Sequence, residues 1–424
     1  MTSTYIKLLR RFYRSCTDAK FRADWGFCHP PYGWHETVSP KLAKYVYWLF
    51  KPVAYFLAKK KYVFSINNLY SALGHVYVEL DTGLRLQKTG AIDPRETLVY
   101  LWPKSPIGNA FKHAVTPPNF KIILSGFLHI LLYPLLLRYR FLAVDTAFSD
   151  WNHGMETNGQ KYKSLSYRDS LERHRRYYHL LHQTTDFYPI ASFHSGPQPE
   201  ALKAFIDHDK YIVLQIKDKT ANATYQATDP ETYLPVIRLM QSRGFAVVLA
   251  GRELMPACFK EAGVLDYANA DIASPLNDYY VVRDATAVLS SGSGFNVVPE
   301  TLGVPVLIVN VWCFAWPGGR KSIAIPAVLS QAGRRLTFRE QYDYTIRFEV
   351  ILPSTDVGRS MRCQDADGEM ILAAWLELLN CIEQNQWVDT DLQQQFRQSL
   401  NGCPIVLAPT RVSDAFLRRH QSLL

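Results

Sequence analysis

Residues 287–310, AVLSSGSGFNVVPETLGVPVLIVN, constrain the fold more than any other stretch of this chain. A short apolar run over 287–289 ends in Ser290-Ser291-Gly292-Ser293-Gly294. A helix-like pattern follows to Leu302, then a Gly303-Val304-Pro305 turn, then a second apolar run over 306–309. Strand, small-residue turn, helix, turn and strand make one complete βαβ unit, and such a crossover joins parallel strands. Small residues at the first turn let an anionic group approach the backbone. There the start of a helix offers unpaired N–H donors and the positive end of its dipole. Glu300 falls between one and two turns into the helix, where a carboxylate suits a ribose diol. The unit fits a nucleotide diphosphate, although a Ser/Gly turn alone is equally common as plain architecture.

The chain has 424 residues, enough for two domains of ordinary size, and its 48% apolar and 20% charged content is that of a globular protein. Seven scattered cysteines without CxxC spacing read as reduced thiols rather than a disulfide framework or a zinc site. No apolar h-region of a signal peptide is evident at the N-terminus. The charge is uneven. Residues 1–61 hold twelve Lys/Arg against three acids, a surplus of nine that equals the surplus of the whole chain. The basic character therefore belongs to an N-terminal arm, over residues 1–62, and the body is balanced. Two aromatic-rich runs in the arm, 45–50 and 53–58, are flanked by lysines, a mixture suited to an anionic membrane surface. Nucleic acid is not expected as a partner, because the arm is too apolar for a solvated phosphate-binding segment. A second apolar run, 122–137, is uncharged but short for a bilayer span, and reads as a buried or membrane-dipping helix.

Alternating strand and helix patterns run through both halves. Strands are expected at 63–66, 98–101 and 141–144, and Gly74-His75 reads as a strand-adjacent turn. A boundary is expected at the Pro-rich stretch 192–199. Beyond it strands are expected at 211–215 and 246–250, with helices at 230–242, 256–262 and 278–283 before the βαβ unit. The expected divisions are thus an arm over 1–62, an α/β domain over 63–195 and a second over 200–380. A helical tail would occupy 381–424. In such doubly wound sheets ligands sit at the carboxyl ends of the strands.

Three further loops fall at those ends. Gln215-Ile216-Lys217 brings a lysine that can neutralise a departing diphosphate. Gly251-Arg252-Glu253 brings a turn and a guanidinium able to hold phosphate bidentately. Asn277-Asp278 opens the helix before the unit. Singly each is more often a cap or a surface ion pair.

The spacing of Gly294, Glu300, Gly303 and Pro305 resembles the donor-binding unit of GT-B glycosyltransferases. The wider set takes in Gly74-His75 with Glu79, Gln215–Lys217, Gly251-Arg252-Glu253 and Asn277-Asp278. It continues through Ser290–Gly294 to Phe416-Leu417 with His420. It resembles a bacterial glycosyltransferase family associated with surface polysaccharides and distantly related to fucosyltransferases. In the latter a His-x-Arg motif stands where this chain has Gln215-Ile216-Lys217, so the positive charge is kept but the donor's identity does not carry over. The resemblance implies two Rossmann-like doubly wound domains facing a cleft, with a basic helical arm added here.

It also implies sugar transfer from a nucleotide-sugar donor to a hydroxyl of a polysaccharide or lipid-linked acceptor, at the cytoplasmic face of the inner membrane. Lys217, Gly251, Arg252, Asp278, Ser290, Ser291, Gly292, Ser293, Gly294 and Glu300 are the expected donor-binding residues. His75 or Glu79 would activate the acceptor. No metal or other cofactor is expected. Two other readings stay open: a nucleotide-sugar epimerase of the same fold, and a non-catalytic partner binding sugar nucleotide or polysaccharide.

Overall fold

The computed structural model describes residues 40–65, 73–112, 116–129, 142–144, 167–217, 227–311, 318–348 and 361–424, with a few single positions between them. Residues 1–39 of the expected arm lie outside this set. The chain divides into two compact units, 1–164 and 165–424. The division falls ahead of the Pro-rich stretch 192–199.

The first unit contains helix α1 (Pro40–Lys59), strand β1 (Tyr62–Ser65), helix α2 (Leu73–Lys88) and strand β2 (Thr97–Trp102). Helix α3 (Pro106–Lys112) and strands β3 (Phe120–Leu124) and β4 (Ala143–Val144) complete it. Its four strands lie in the order β3-β2-β1-β4, every pairing parallel. Strand β2, TLVYLW, is buried from its second residue onward, as expected of a parallel strand covered on both faces. Two sequence expectations are corrected here. Gly74-His75 is the first turn of α2 rather than a turn beside a strand, because burial on all sides overrides the strand-like alternation of Val76-Tyr77-Val78. The apolar run 122–137 is not one helix: its first three residues finish β3, and the described residues turn helical from 126.

The second unit is built on a seven-stranded parallel sheet. Helices α4 (Tyr167–Gln183) and α5 (Glu200–Ile206) lead into β5 (Tyr211–Gln215), α6 (Leu234–Ser242), β6 (Ala246–Leu249), α7 (Ala257–Glu261), β7 (Leu265–Asp266) and α8 (Pro275–Arg283). The βαβ unit then appears as β8 (Ala287–Ser291), a 3-10 turn Gly294–Asn296, α9 (Val297–Leu302) and β9 (Val306–Val311). Strand β10 (Ser322–Pro326) extends the sheet. A small antiparallel sheet follows, with β11 (Val328–Gln331) between β12 (Arg334–Arg335) and β13 (Met361–Gln364). Its hairpin turns on Ala332 and Gly333, both at positive φ, the geometry that matches strand twist.

Helices α10 (Phe338–Phe348), α11 (Gly368–Gln384), α12 (Asp391–Ser399) and α13 (Asp414–Arg419) belong to the same unit, with β14 (Arg411–Val412) before α13. The expected helical tail therefore also supplies an edge strand: β14 pairs in parallel with β10. Trp375 and Leu378 of α11, Phe338 and Tyr342 of α10, and Phe416 and Leu417 of α13 are buried in the core beneath the sheet.

Candidate functional site

The strand order of the large sheet is β14-β10-β9-β8-β5-β6-β7. From β5 the chain steps outward to β6 and β7. It then crosses back to β8 and proceeds the other way to β9, β10 and β14. The direction of winding reverses between β5 and β8, and a parallel sheet opens a crevice at the carboxyl ends of the two strands where that happens. Pairing of Gln215 with Ser290 puts both chain ends there, so the 215–217 and 290–294 segments form the two lips.

Hydrogen bonds tie those lips together. Gln215 Oε1 accepts from Ser290 Oγ at 2.7 Å and from Ser293 Oγ at 2.8 Å. The Ser290 hydroxyl also lies 2.6 Å from the side-chain amide oxygen of Asn296. Lys217 N–H donates to Ser291 Oγ at 3.0 Å, and Ser293 Oγ caps the 3-10 turn by accepting from Phe295 N–H at 3.2 Å. Ser290, Ser291 and Ser293 are buried. Their hydroxyls hold the turn in shape.

The two glycines of the turn do different things. A Cβ on Gly292 would stand 3.0 Å from Asn310 O and 3.4 Å from Val311 Cα, so its lack of a side chain lets the turn pack on β9. A Cβ on Gly294 would meet nothing within 4 Å. Gly294 is half-buried and serves no packing need; its open side is the space that a ligand approaching the backbone would take.

Four more expected residues, Lys217, Gly251, Arg252 and Asp278, lie at the neighbouring strand and helix ends. Lys217 follows β5 and is half-buried; burial lowers its pKa, and the nearby Glu253 carboxylate pushes the other way. An arriving diphosphate would further favour the ammonium form. Gly251, at φ 108, turns the chain after β6 in a conformation that other residues rarely adopt, and Arg252 beyond it is exposed. Asp278, in the first turn of α8, accepts from Tyr267 Oη at 2.9 Å, just past the end of β7. Burial raises its pKa to about 6, opposed by that hydrogen bond and by the Arg252 charge. Lys217 thus feels the charge of Glu253, and Asp278 that of Arg252, at the ends of β5, β6 and β7.

Glu300 is not brought to this group. It is buried, its Oε1 accepts from Ser322 Oγ at 3.3 Å, and Gly319 packs on it. Ser322 pairs with Val306 and Val306 with Val288. The contact is therefore level with Val288, about 10 Å below the end of β8 at 3.3 Å per residue. The ribose role expected of Glu300 does not follow from that position. In the first unit Glu79 is buried within α2, and its carbonyl accepts the Tyr100 hydroxyl. His75 stands one turn before it, with its side chain outside the described residues.

Two residues of the site went unassigned in the sequence. Gln215 was visible only as the place of another family's motif, and its role as common acceptor of two serines depends on β5 lying beside β8. Asn310, the last residue but one of β9, stands at φ 56, a left-handed conformation; it is buried, and its Oδ1 accepts Ala366 N–H at 2.8 Å. An asparagine inside the run VLIVNV was the available signal. Among the described residues, no group of three His, Cys, Asp or Glu is placed to hold a metal ion.

No family model matches the chain, and no curated protein sequence matches it. Solved structures do resemble it. One is an iron-containing dodecameric glycosyltransferase of enterotoxigenic Escherichia coli, 14% identical over 77% of each chain with a TM-score of 0.41. Another is a family 9 glycosyl transferase of Veillonella parvula, 11% identical over 76% of this chain and 97% of that one, TM-score 0.44. A third is the E. coli ADP-heptose LPS heptosyltransferase II, 12% identical over 76% of this chain and 99% of that one, TM-score 0.37.

Proposed function

We propose that this chain is a glycosyltransferase that takes a sugar from a nucleotide-sugar donor and places it on a hydroxyl of a glycan or lipid-linked acceptor. The observation that carries the reading is the reversal of winding between β5 and β8. There an open backbone turn at Gly294 follows β8 and a half-buried lysine, Lys217, follows β5, with Arg252 in the turn after the next strand outward, β6. In the proposed reaction the Gly294 N–H, at the start of the 294–302 helical segment, takes a diphosphate oxygen, since Ser293 already accepts the N–H groups of Phe295 and Asn296. Lys217 and Arg252 offset the charge that grows on the leaving diphosphate as the glycosidic bond breaks, a role that needs no metal in the proposal. Acceptor activation is assigned to His75 or Glu79, and the enzyme is placed at the cytoplasmic face of a membrane, where lipid-linked acceptors lie.

The test is a thermal-shift panel of nucleoside diphosphates and nucleotide sugars, followed by product analysis with the donor that stabilises most. A donor at about a hundred times its Kd stabilises by about 2.7 kcal/mol. Stabilisation by diphosphate nucleotides, lost in Lys217→Ala, and release of nucleoside diphosphate that depends on added acceptor are expected. Isomerised donor without acceptor would point to an epimerase, and no stabilisation by any diphosphate would refute the site.

A further inference from the structure

The outer face of α1 carries an unusual combination of side chains. Ala54 is buried against Phe64, Val99, Leu101 and Leu142, and Leu57 and Ala58 pack on the same cluster. This anchors one side of the helix to the parallel sheet. On the other side Val53, Tyr55 and Phe56 are exposed, the two aromatics at 57% each. Lys51 Nζ lies 5.8 Å from the centre of the Tyr55 ring, and Lys60 Nζ lies 5.8 Å from that of Phe56. Residues 40–61 contain six lysines and no acid. Next to the helix, Leu128 packs on the same cluster while its neighbour Phe127 stays exposed. That residue is held in place by its surroundings: Ser125 Oγ accepts Leu128 N–H at 3.2 Å, and buried His129 reaches the Leu101 carbonyl at 2.7 Å through Nδ1.

Exposed aromatics presented by a rigidly packed helix, with ammonium groups over their faces, match one surface chemistry well. Rings of this kind settle at the headgroup level of a bilayer, and lysine stems reach from the apolar boundary to anionic headgroups. Among the described residues no helix is long and apolar enough to cross a membrane, so the arrangement suits a helix lying on the surface. Phosphate backbones of nucleic acid would use the lysines but leave Val53 and Phe56 unsatisfied.

We propose that the Val53–Tyr55–Phe56 face of α1 docks on an anionic lipid surface, with Lys51, Lys59 and Lys60 contacting the headgroups. The lysines bring the helix to the surface and the aromatics hold it there. This deepens the membrane part of the functional reading, on which it rests, and involves none of the donor-site residues; vesicle binding and nucleotide binding therefore fail separately.

The experiment is co-sedimentation of the full chain with vesicles of phosphatidylcholine alone or with about a third phosphatidylglycerol. The double substitution Tyr55→Glu/Phe56→Glu and the triple substitution Lys51→Gln/Lys59→Gln/Lys60→Gln are run alongside, with Tm checked for each. Because the substituted positions are exposed, an unchanged Tm is expected in each. Binding to the anionic vesicles is expected, with loss on the order of a hundredfold in the aromatic variant, whose apolar contacts become charges. The lysine variant should lose the preference for phosphatidylglycerol, as should wild type at high salt, where screening shortens the attraction. Equal binding to both vesicle types, or unchanged binding by the aromatic variant, overturns the proposal. So does a self-associated state of the free protein that the aromatic variant dissolves, which would assign the face to a second copy.

Discussion

Gly294→Val separates the two jobs of the small-residue turn. The new side chain meets no atom within 4 Å of its Cβ, and Gly294 is not among the glycines at positive φ. Its cost to folding should therefore stay within about 1 kcal/mol, as for substitutions away from packed or strained positions. Yet the branched side chain fills the space through which a diphosphate would reach the backbone. A hydrogen bond to a charged group contributes about 1.5–3 kcal/mol, so displacing a single phosphate contact weakens donor affinity by at least about tenfold. Gly292→Ala is the opposite case. Its methyl would stand 3.0 Å from Asn310 O, and the rigid backbone there makes the substitution destabilising by about 1–3 kcal/mol. Calorimetric titration with the diphosphate nucleotide that most raises the wild-type Tm, beside a denaturation curve for each variant, distinguishes them. A folded Gly294→Val protein that binds this nucleotide with wild-type affinity would refute the placement of the diphosphate.

Other outcomes follow from the same contacts. Gln215→Leu removes the common acceptor of Ser290 and Ser293; Ser290 keeps Asn296 Oδ1 within reach, but the buried Ser293 hydroxyl loses its acceptor, so urea denaturation should show a loss of about 1–3 kcal/mol. Asp278 has a folded pKa of about 6 against an ordinary value of 3.8. The unfolded chain ionises it first, so stability is lost as pH rises from about 4 to about 6, by up to about 3 kcal/mol. Asp278→Asn should thus be the more stable protein at pH 8 and should converge with wild type below pH 4, measured by denaturant midpoints. Buried His129, with its pKa lowered to about 4, has the reverse window: stability should fall as pH drops from about 6.5 towards 4, a trend absent in His129→Gln. Glu300→Ala should lower Tm through the lost Ser322 contact while nucleotide affinity changes by less than about threefold; a larger loss would restore the ribose role.

The unit 287–310 was legible because both of its periodicities are local: an apolar run, a Ser/Gly turn, a short helix and a second apolar run are read without knowledge of the rest. The places of Lys217, Arg252 and Asp278 in the fold were legible for the same reason, each following an apolar strand or opening a helix. What sequence order hides is lateral position. That β8 returns to the side of β5 opposite β6 decides which loops meet, and it turns Gln215 from an unremarked strand end into the acceptor that shapes the turn. Glu300 shows the same limit from the other direction. Its spacing from Gly294 suited a ribose, but α9 points its carboxylate at Ser322, a residue of a strand whose place in the sheet is set by non-local pairing. In α2 the strand-like alternation at Val76–Val78 gave way because the helix is buried on all sides and needs no polar stripe.

The central claim is that a nucleotide diphosphate binds where the winding reverses between β5 and β8. A crystal structure with the nucleoside diphosphate that stabilises the protein most tests it directly. The diphosphate oxygens are expected about 3 Å from the Gly294 N–H and Lys217 Nζ, with Arg252 beside them. A diphosphate bound with none of these groups in reach would contradict it.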